Sequence, residues 1–466
     1  MPQSLVPMRD LEISNDELAR LAEEVTGLVT SYWASVESRP VYPVTDPTAI
    51  TNRFTGDWTE EGMGRGVLDD FEAIAAQARI SNGRFFGYVA GSGEPVGALA
   101  ELLAAALNQN VTSWRSAPAA ATIEQTVIDW LAEAVGCAGC KGSLCGGGSA
   151  ANLMGLAMAR EAKLPANETG AGAGAIYASE QAHMSIPKAA ALLGIGRDNL
   201  RLIPADEDFR MRVDLLAQAI AADRRAGRKP VAIVATAGTV NTGAIDPLTE
   251  IADVAQREEL WLHVDGAYGA IAALAAPERF IGLDRADSLS LDPHKWLYQT
   301  IDCGCLLYRD RHAARKAFSH SGDYVKVFSE DPVEAFAFFD ETMELTRRFR
   351  ALKLWMSLRY HGRRAFRDAV ARDLSHARLL ADLVRSRPEL ELMAPVTLSA
   401  VCFRHRTKDN PSILKRVIAR GRVYISNATI GSRFALRACF VNHRTTSDDV
   451  RAIIAEVVAA AGEIDE

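Results

Sequence analysis

A short apolar run, Ser288-Leu289-Ser290-Leu291, ends on Asp292-Pro293-His294-Lys295-Trp296. Upstream, Trp261-Leu262-His263-Val264 runs in the same way into Asp265, and the small residues Gly266 and Ala267 follow before Tyr268. A lysine at the end of a buried strand is costly unless its charge is neutralised or its amine is used. An acid ending a second strand can hold a cationic ring nitrogen, and small residues beside it let a flat ring approach. Together they suggest a pyridoxal 5'-phosphate (PLP) site, with Lys295 as Schiff-base amine and Asp265 on the pyridinium nitrogen.

Such a cofactor needs a phosphate cradle. Leu144-Cys145-Gly146-Gly147-Gly148-Ser149 leads into a helical pattern from Leu153 to Ala162. A glycine-rich turn opening a helix presents free N–H groups and the positive end of the dipole to an anion. Gly148 and Ser149 are the candidate cradle. The turn is neither a Walker loop nor a spaced G-x-G-x-x-G dinucleotide turn. Cys137-x-x-Cys140 and Cys145 invite a metal reading, but no second paired set of ligands follows nearby. They read as small buried or loop cysteines, with no metal site.

The elements that must position these residues alternate between strand and helix. Ala175 to Ala178 reads as a strand, with His183 in a helix opening at Ser179 to Ala182. Val231 to Ala235 is a strand ending near Thr239, and a helix spans Leu248 to Arg257. Strands at Trp261 to Val264, Leu289 to Leu291 and Cys303 to Tyr308 complete the series. The alternation predicts an α/β fold with a mostly parallel sheet and the site at the strands' carboxyl ends. Ser14-x-x-Glu17 is a capping box before an amphipathic helix from Leu18 to Tyr32, which packs either on a partner subunit or on its own domain. The predicted domains are an N-terminal helical arm (1–90), a large PLP-binding domain (91–360) and a small α+β domain (361–466). The small domain reads helix, strand, helix, strand, strand, helix. The polar, aromatic-rich stretch from Ser319 to Arg350 reads as a mobile lid. Asn110, Thr112 and Trp114 lie in a polar loop that lines a substrate cavity or forms a solvated turn.

Composition narrows the partners. The 466 residues carry a net charge of −7 without a Lys/Arg run, which argues against nucleic acid or an anionic membrane. No apolar run is long enough to span a bilayer, and the first residues lack a signal-peptide order. Seven cysteines, an odd set in a chain of this size, fit a reducing, cytoplasmic setting.

From about Thr51 to Asp449 the chain resembles the group II PLP-dependent amino-acid decarboxylases, a family that includes the aromatic-amino-acid, histidine, glutamate and tyrosine enzymes. The carriers are Asp292-Pro293-His294-Lys295-Trp296, His263-Val264-Asp265-Gly266-Ala267-Tyr268, Gln181-Ala182-His183, the run Arg347 to Lys353, and Leu436-Arg437 with Asn442 and Arg444-Thr445-Thr446. The resemblance implies a type I aminotransferase-like fold and a homodimer with active sites at the interface. It places His183 and Ala267 on opposite faces of the ring, Gly148, Ser149, Asp292 and His294 around the phosphate, and Thr239 close to the cofactor.

Three departures stand out. Asn82-Gly83 replaces the His-Pro of many members, and Asn110 and Thr112 are polar where the aromatic-amino-acid enzymes make apolar contacts. Counting back from Arg347, the place of the lid tyrosine that, by the resemblance, protonates Cα falls at or near Phe338, in Phe336-Ala337-Phe338-Phe339, with Tyr324 further upstream. The leading expectation is α-decarboxylation of an L-amino acid, or of an amino-acid conjugate, to an amine. Phe338 opens an alternative in which dioxygen traps the carbanion and an aldehyde results. β-Elimination at a sulfur-bearing amino acid and a non-catalytic PLP-binding homodimer are the other readings. Arg433 and Arg437 are candidates for a substrate carboxylate or for structural ion pairs.

Overall fold

The computed structural model describes residues 11–79, 81–172, 174–320 and 331–464. Ser14 caps the first helix by accepting the N–H of Glu17 at 3.2 Å, and α1 runs Asn15–Ser35. Helices α2 (Pro47–Phe54) and α3 (Phe71–Ala75) follow. No residue of α1 is fully buried; its apolar stripe, Leu21, Val25, Leu28, Val29 and Tyr32, is only half-covered, with Tyr32 edge-on to Phe71 of α3.

The large sheet joins β1 (Lys141–Cys145), β2 (Gly174–Ser179), β3 (Leu200–Ile203), β4 (Lys229–Thr236), β5 (Trp261–Asp265), β6 (Ser288–Leu291) and β7 (Gly304–Tyr308) in the order β1-β7-β6-β5-β4-β2-β3. Strands β2 to β6 pair in parallel, while β7 pairs antiparallel with both β6 and β1. Helices α4 (Pro95–Leu107), α5 (Pro118–Ala134), α6 (Gly148–Lys163), α7 (Ser185–Leu192), α8 (Val213–Arg225), α9 (Leu248–Arg257), the single turn α10 (Pro293–Trp296) and α11 (Arg311–Phe318) connect and cover these strands. Strands covered on both faces need apolar residues at every position. That is why Val231 to Ala235 reads as one unbroken apolar run.

Helix α12 (Ala351–Arg385) is broken at Gly362, whose φ of 77° no helix allows, and leads into the second unit. There β8 (Leu390–Leu392), β9 (Ala400–His405), β10 (Ser426–Ile430) and β11 (Arg433–Cys439) form an antiparallel sheet in the order β10-β11-β9-β8. Helices α13 (Asn410–Arg420) and α14 (Ser447–Gly462) pack with it, the latter opened by a capping box of Thr446 and Asp449. Two strands, not one, lie between α12 and α13, because three-residue β8 is too short to leave a pattern. The mostly parallel large sheet and the smaller α+β unit are the expected architecture. No helix among the described residues is long and apolar enough to cross a membrane.

Residues 331–350 correct the expectation of a lid that extends to Arg350. Ser113 pairs with Ala337 in an antiparallel bridge, and the N–H groups of Phe338 and Phe339 both donate to the carbonyl of Thr112. Phe338 is fully buried, edge-on to Phe336 and 4.1 Å beneath the guanidinium carbon of Arg347. Tyr324 and the first half of the stretch lie outside the described residues.

Arg347 is itself buried against Glu124, and it donates to the carbonyls of Val111 and Leu144. Glu124 in turn accepts the N–H of Leu144 at 2.9 Å, just before the glycine-rich turn. Removing one partner of a buried ion pair strands the other charge and costs about 3–5 kcal/mol. Glu124→Ala is therefore expected to lower the urea midpoint sharply, whereas exposed Glu133→Ala shifts it little. Equal effects from the two variants would show that the pair has no special weight.

Candidate active site

Three strands end together. Thr236 of β4 is opposite Asp265 of β5, and Asp265 is opposite Ser290 of β6. The carboxyl ends of these strands open onto a cavity of about 470 Å³ lined by Gly148, Ser149, His183, Asp265, Asp292 and Lys295, among others. One cavity therefore brings together most of the residues singled out from their types and spacing, including Ala267 and His294.

Lys295 stands on the single turn α10, which Pro293 starts after the one residue, Asp292, that follows β6. Its Nζ lies 3.0 Å from Asp292 Oδ2. Trp296 anchors the turn from behind, stacking on Tyr268 with ring centroids 5.3 Å apart and donating to Asp373 at 3.0 Å. From above, Gly91 closes over the same turn. A Cβ there would come within 2.5 Å of the Lys295 carbonyl, so only glycine lets the loop approach.

Asp265 is 6% exposed and has no cationic partner among the described residues. Its carboxylate accepts from Asn152 Nδ2 at 2.9 Å, Ser290 Oγ at 3.1 Å and the Ala267 N–H at 3.2 Å. His183 sits on the turn between β2 and α7, not in a helix, and its Nδ1 meets Ser185 Oγ at 2.9 Å. Burial holds the His183 and His294 rings below the usual histidine range, so both are neutral near pH 7. His294 Nδ1 donates to the Cys303 carbonyl at 2.7 Å.

Helix α6 begins at Gly148, and a helix leaves its first N–H groups unpaired. A Cβ on Gly148 would lie 2.6 Å from that of Ala267, which sets the close floor of the cavity. Asp292 Oδ1 and Thr236 Oγ1 are buried without hydrogen-bond partners. Here a buried acid lacks a cation, a helix start faces the same space, an amine stands nearby and two polar atoms await partners. This set fits PLP, whose ring nitrogen, phosphate, aldehyde and ring substituents supply the complements.

Other expectations fall elsewhere. Thr239 turns its hydroxyl to Thr242 and to the N–H of Ala244, and the cavity wall is built by Thr236, Gly238 and Val240 instead. Asn110, Thr112 and Trp114 do not line the cavity; they pack on 336–347, where Asn110 Oδ1 accepts the Arg347 N–H and Trp114 N–H donates to Phe336. Phe338 is likewise shut away from the cavity by its burial beneath Arg347. Arg437 is buried and ties the carbonyls of Tyr88 and Asn241 together, while Arg433 is an exposed partner of Glu391. Cys137, Cys140 and Cys145 are buried free thiols, and burial pushes Cys145 up to about 12.

The sequence reading gave no role to Asn152, His263, Ser288, Thr236 or Gly91. His263 is fully buried, and burial pulls it down to about 4. An unfolded histidine takes a proton near pH 6.5. The folded state therefore keeps its full stability above about pH 6.5 and loses it as pH falls toward about 4, where the native ring also protonates. The loss is on the order of 3 kcal/mol for this one group. Thermal melts at pH 7.5, 6 and 5 should show a shallower acid decline in His263→Gln than in the wild type. Parallel declines would remove His263 from the account.

Comparison with known proteins agrees with this geometry. Residues 66–406 match the pyridoxal-dependent decarboxylase conserved domain. The chain is 34% identical to the aromatic-L-amino-acid decarboxylase of Bacillus atrophaeus, over 98% of each chain. It is also 34% identical to the L-2,4-diaminobutyrate decarboxylase of Rhizobium meliloti (strain 1021), over 91% of this chain and 90% of that one. The crystal structure of Oryza sativa TDC with PLP and tryptamine superposes with a TM-score of 0.90 at 28% identity, covering 97% of this chain and 99% of that one. A lysine turn, a buried acid, a helix start facing one cavity and a family match over most of the chain have one meaning: the chain belongs to the group II PLP-dependent amino-acid decarboxylases, carboxy-lyases of the type I aminotransferase-like fold.

Proposed function

We propose that the enzyme removes the α-carboxylate of an L-amino acid, or of an amino-acid conjugate, to give an amine and carbon dioxide. The observation that carries this reading is the juxtaposition of Lys295 with an acid, Asp265, that has no cation of its own. PLP, when bound, supplies an electron sink for the pair left at Cα. Lys295 would hold the cofactor through its side-chain amine, and as a free amine beside the substrate it would be able to carry a proton. Asp265 keeps the ring nitrogen charged through an opposite-charge interaction strengthened by burial. Neutral His183 and Ala267 would cover the two ring faces. The α6 start with Gly148 and Ser149 would hold the phosphate, with His294 and Asp292 beside it.

Phe338, buried beneath Arg347, does not line the cavity of its own chain, so the alternative of an aldehyde product rests on the 30% identity to a 4-hydroxyphenylacetaldehyde synthase of Rhodiola rosea rather than on this residue. The β-elimination alternative has no structural observation in its favour. The two relatives at equal identity act, by their names, on an aromatic and on a diamino acid, so overall similarity does not choose the substrate. The test is to feed the holoenzyme amino-acid mixtures and follow carbon dioxide and dissolved oxygen together. Carbon dioxide without oxygen loss supports the proposal; stoichiometric oxygen uptake with peroxide and aldehyde would overturn it.

We further propose that the working unit is a homodimer in the cytoplasm. Leu99, Leu102, Leu103 and Leu107 stand exposed along α4, and α1 buries no residue of its own. A partner on these faces would bury them and bring the polar loop at Asn110, Thr112 and Trp114 to the neighbouring cavity. Leu103→Glu is expected to yield monomers and lower turnover by more than about 100-fold, since a charge at the centre of an apolar interface is left unpaired. Sedimentation and assay of the same sample decide it: an active monomer would sink the idea.

A further inference from the structure

One buried chain of hydrogen bonds remains outside these roles. Trp261 Nε1 donates to Ser288 Oγ at 2.9 Å, and Ser288 Oγ lies 2.8 Å from His263 Nδ1. His263 Nε2 lies 2.9 Å from Asn152 Oδ1, and Asn152 Nδ2 donates to both Asp265 Oδ2 and Ser185 Oγ at 2.9 Å. Ser185 Oγ in turn meets His183 Nδ1. His263, Asn152, Ser288, Ser185 and Trp261 are all buried; the chain branches at Asn152, and the two branches end on Asp265 and His183, which both line the cavity.

The protons of this chain have one sense that uses every donor. An indole N–H only donates, so Ser288 accepts it and spends its own proton on His263 Nδ1. His263 is neutral; accepting at Nδ1 leaves its one proton on Nε2, 2.9 Å from the Asn152 carbonyl oxygen. The Asn152 amide then has both N–H groups free for Asp265 and Ser185, and Ser185 gives its proton to His183. Reversing the sense turns the Asn152 oxygen toward the Asp265 carboxylate, acceptor against acceptor. It also leaves the Ser288 proton without an acceptor among the described residues. The ionised, purely accepting form of Asp265 is the one this chain selects.

We propose that Asn152, His263, Ser288 and Trp261 are positioning residues that lock the proton sense at Asp265, so that the carboxylate always meets the cofactor as an anion aimed at the ring nitrogen. This rests on the PLP reading given above. Gly155 supports it sterically: a Cβ there would fall 2.6 Å from the His263 ring, so α6 must present a glycine for the imidazole to reach Asn152.

The test is equilibrium binding to the full-length apo-protein of two ligands, PLP and its 1-deaza analogue, in which C–H replaces the ring nitrogen. Asp265→Ala should abolish the preference for PLP over the analogue. His263→Leu and Asn152→Leu should cut that preference by about ten- to hundredfold, the loss expected when a charged group's hydrogen bond goes unmade. His263→Gln, whose amide can still donate to Asn152, should restore most of it. Trp261→Phe removes only the indole N–H and should give a smaller loss of the same kind. If Asp265→Ala erases the preference while the Asn152 and His263 variants weaken both ligands alike, their role is packing and the inference fails. If Asp265→Ala leaves the preference intact, the assignment of the ring nitrogen to Asp265 fails first.

Discussion

Replacing Lys295 with alanine is expected to lower turnover by about 10⁴-fold, the combined scale of a lost covalent attachment and a lost proton carrier. The chain should stay folded, because the turn that carries Lys295 is held by the Trp296 stack and its bond to Asp373, not by the amine. Borohydride reduction of the wild type should leave one cofactor mass on the peptide containing Lys295, and none in the variant. Lys353 is a useful internal contrast. It is buried, and its Nζ is committed to the carbonyls of Thr300 and Asp302 and to Glu101. A cofactor adduct on Lys353 in the wild type, with Lys295 unmodified, would move the whole site.

Asp265→Ala should have the second-largest effect. Two opposite charges about 3 Å apart interact by roughly 5 kcal/mol at an effective dielectric constant of about 20. Lost from the charged state of the ring, that corresponds to a fall of roughly 10³- to 10⁴-fold in kcat. Binding should suffer less than kcat, because the helix start and Lys295 still hold the other parts of the cofactor. Asp265→Asn keeps the shape and should behave like alanine in kcat while binding more tightly than it. Near-normal turnover in either variant would mean that another group charges the ring. The measurement is kcat at saturating cofactor, with cofactor affinity determined separately on the same preparations.

Much of the architecture was legible because parallel strands leave unbroken apolar runs and α9 leaves a clean helical repeat. Strand β1 was not, since Lys141-Gly142-Ser143-Leu144-Cys145 has neither alternation nor β-branched residues, and only its pairing with β7 makes it a strand. At the site, the acids and the lysine announced themselves because an ionisable group at the end of an apolar run is chemically conspicuous. Asn152 did not, since an asparagine within a helical stretch looks like any solvated polar residue until His263 is seen opposite it. Thr236 and Thr239 flank the same strand end, and which hydroxyl faces inward is set by the turn through Thr242 and Ala244, beyond what local spacing conveys. Phe338 was given its lid role by counting along the chain from Arg347, and that count says nothing about which side of Arg347 the ring will lie on.

The rung formed by Thr236, Asp265 and Ser290 separates what can drift from what cannot. A strand ladder is a ruler with fixed graduations of about 4.8 Å between neighbours, and the acid is read off it one mark away from the strand that launches the lysine. Exposed turns such as 225–228, ahead of β4, can lengthen or shorten without moving either mark. A slip of one residue in β6, by contrast, would turn Ser290 to the opposite face and misalign the turn behind it. New specificities can thus be written into the loops of this scaffold again and again, while the spacing that makes the chemistry work stays under the custody of the backbone.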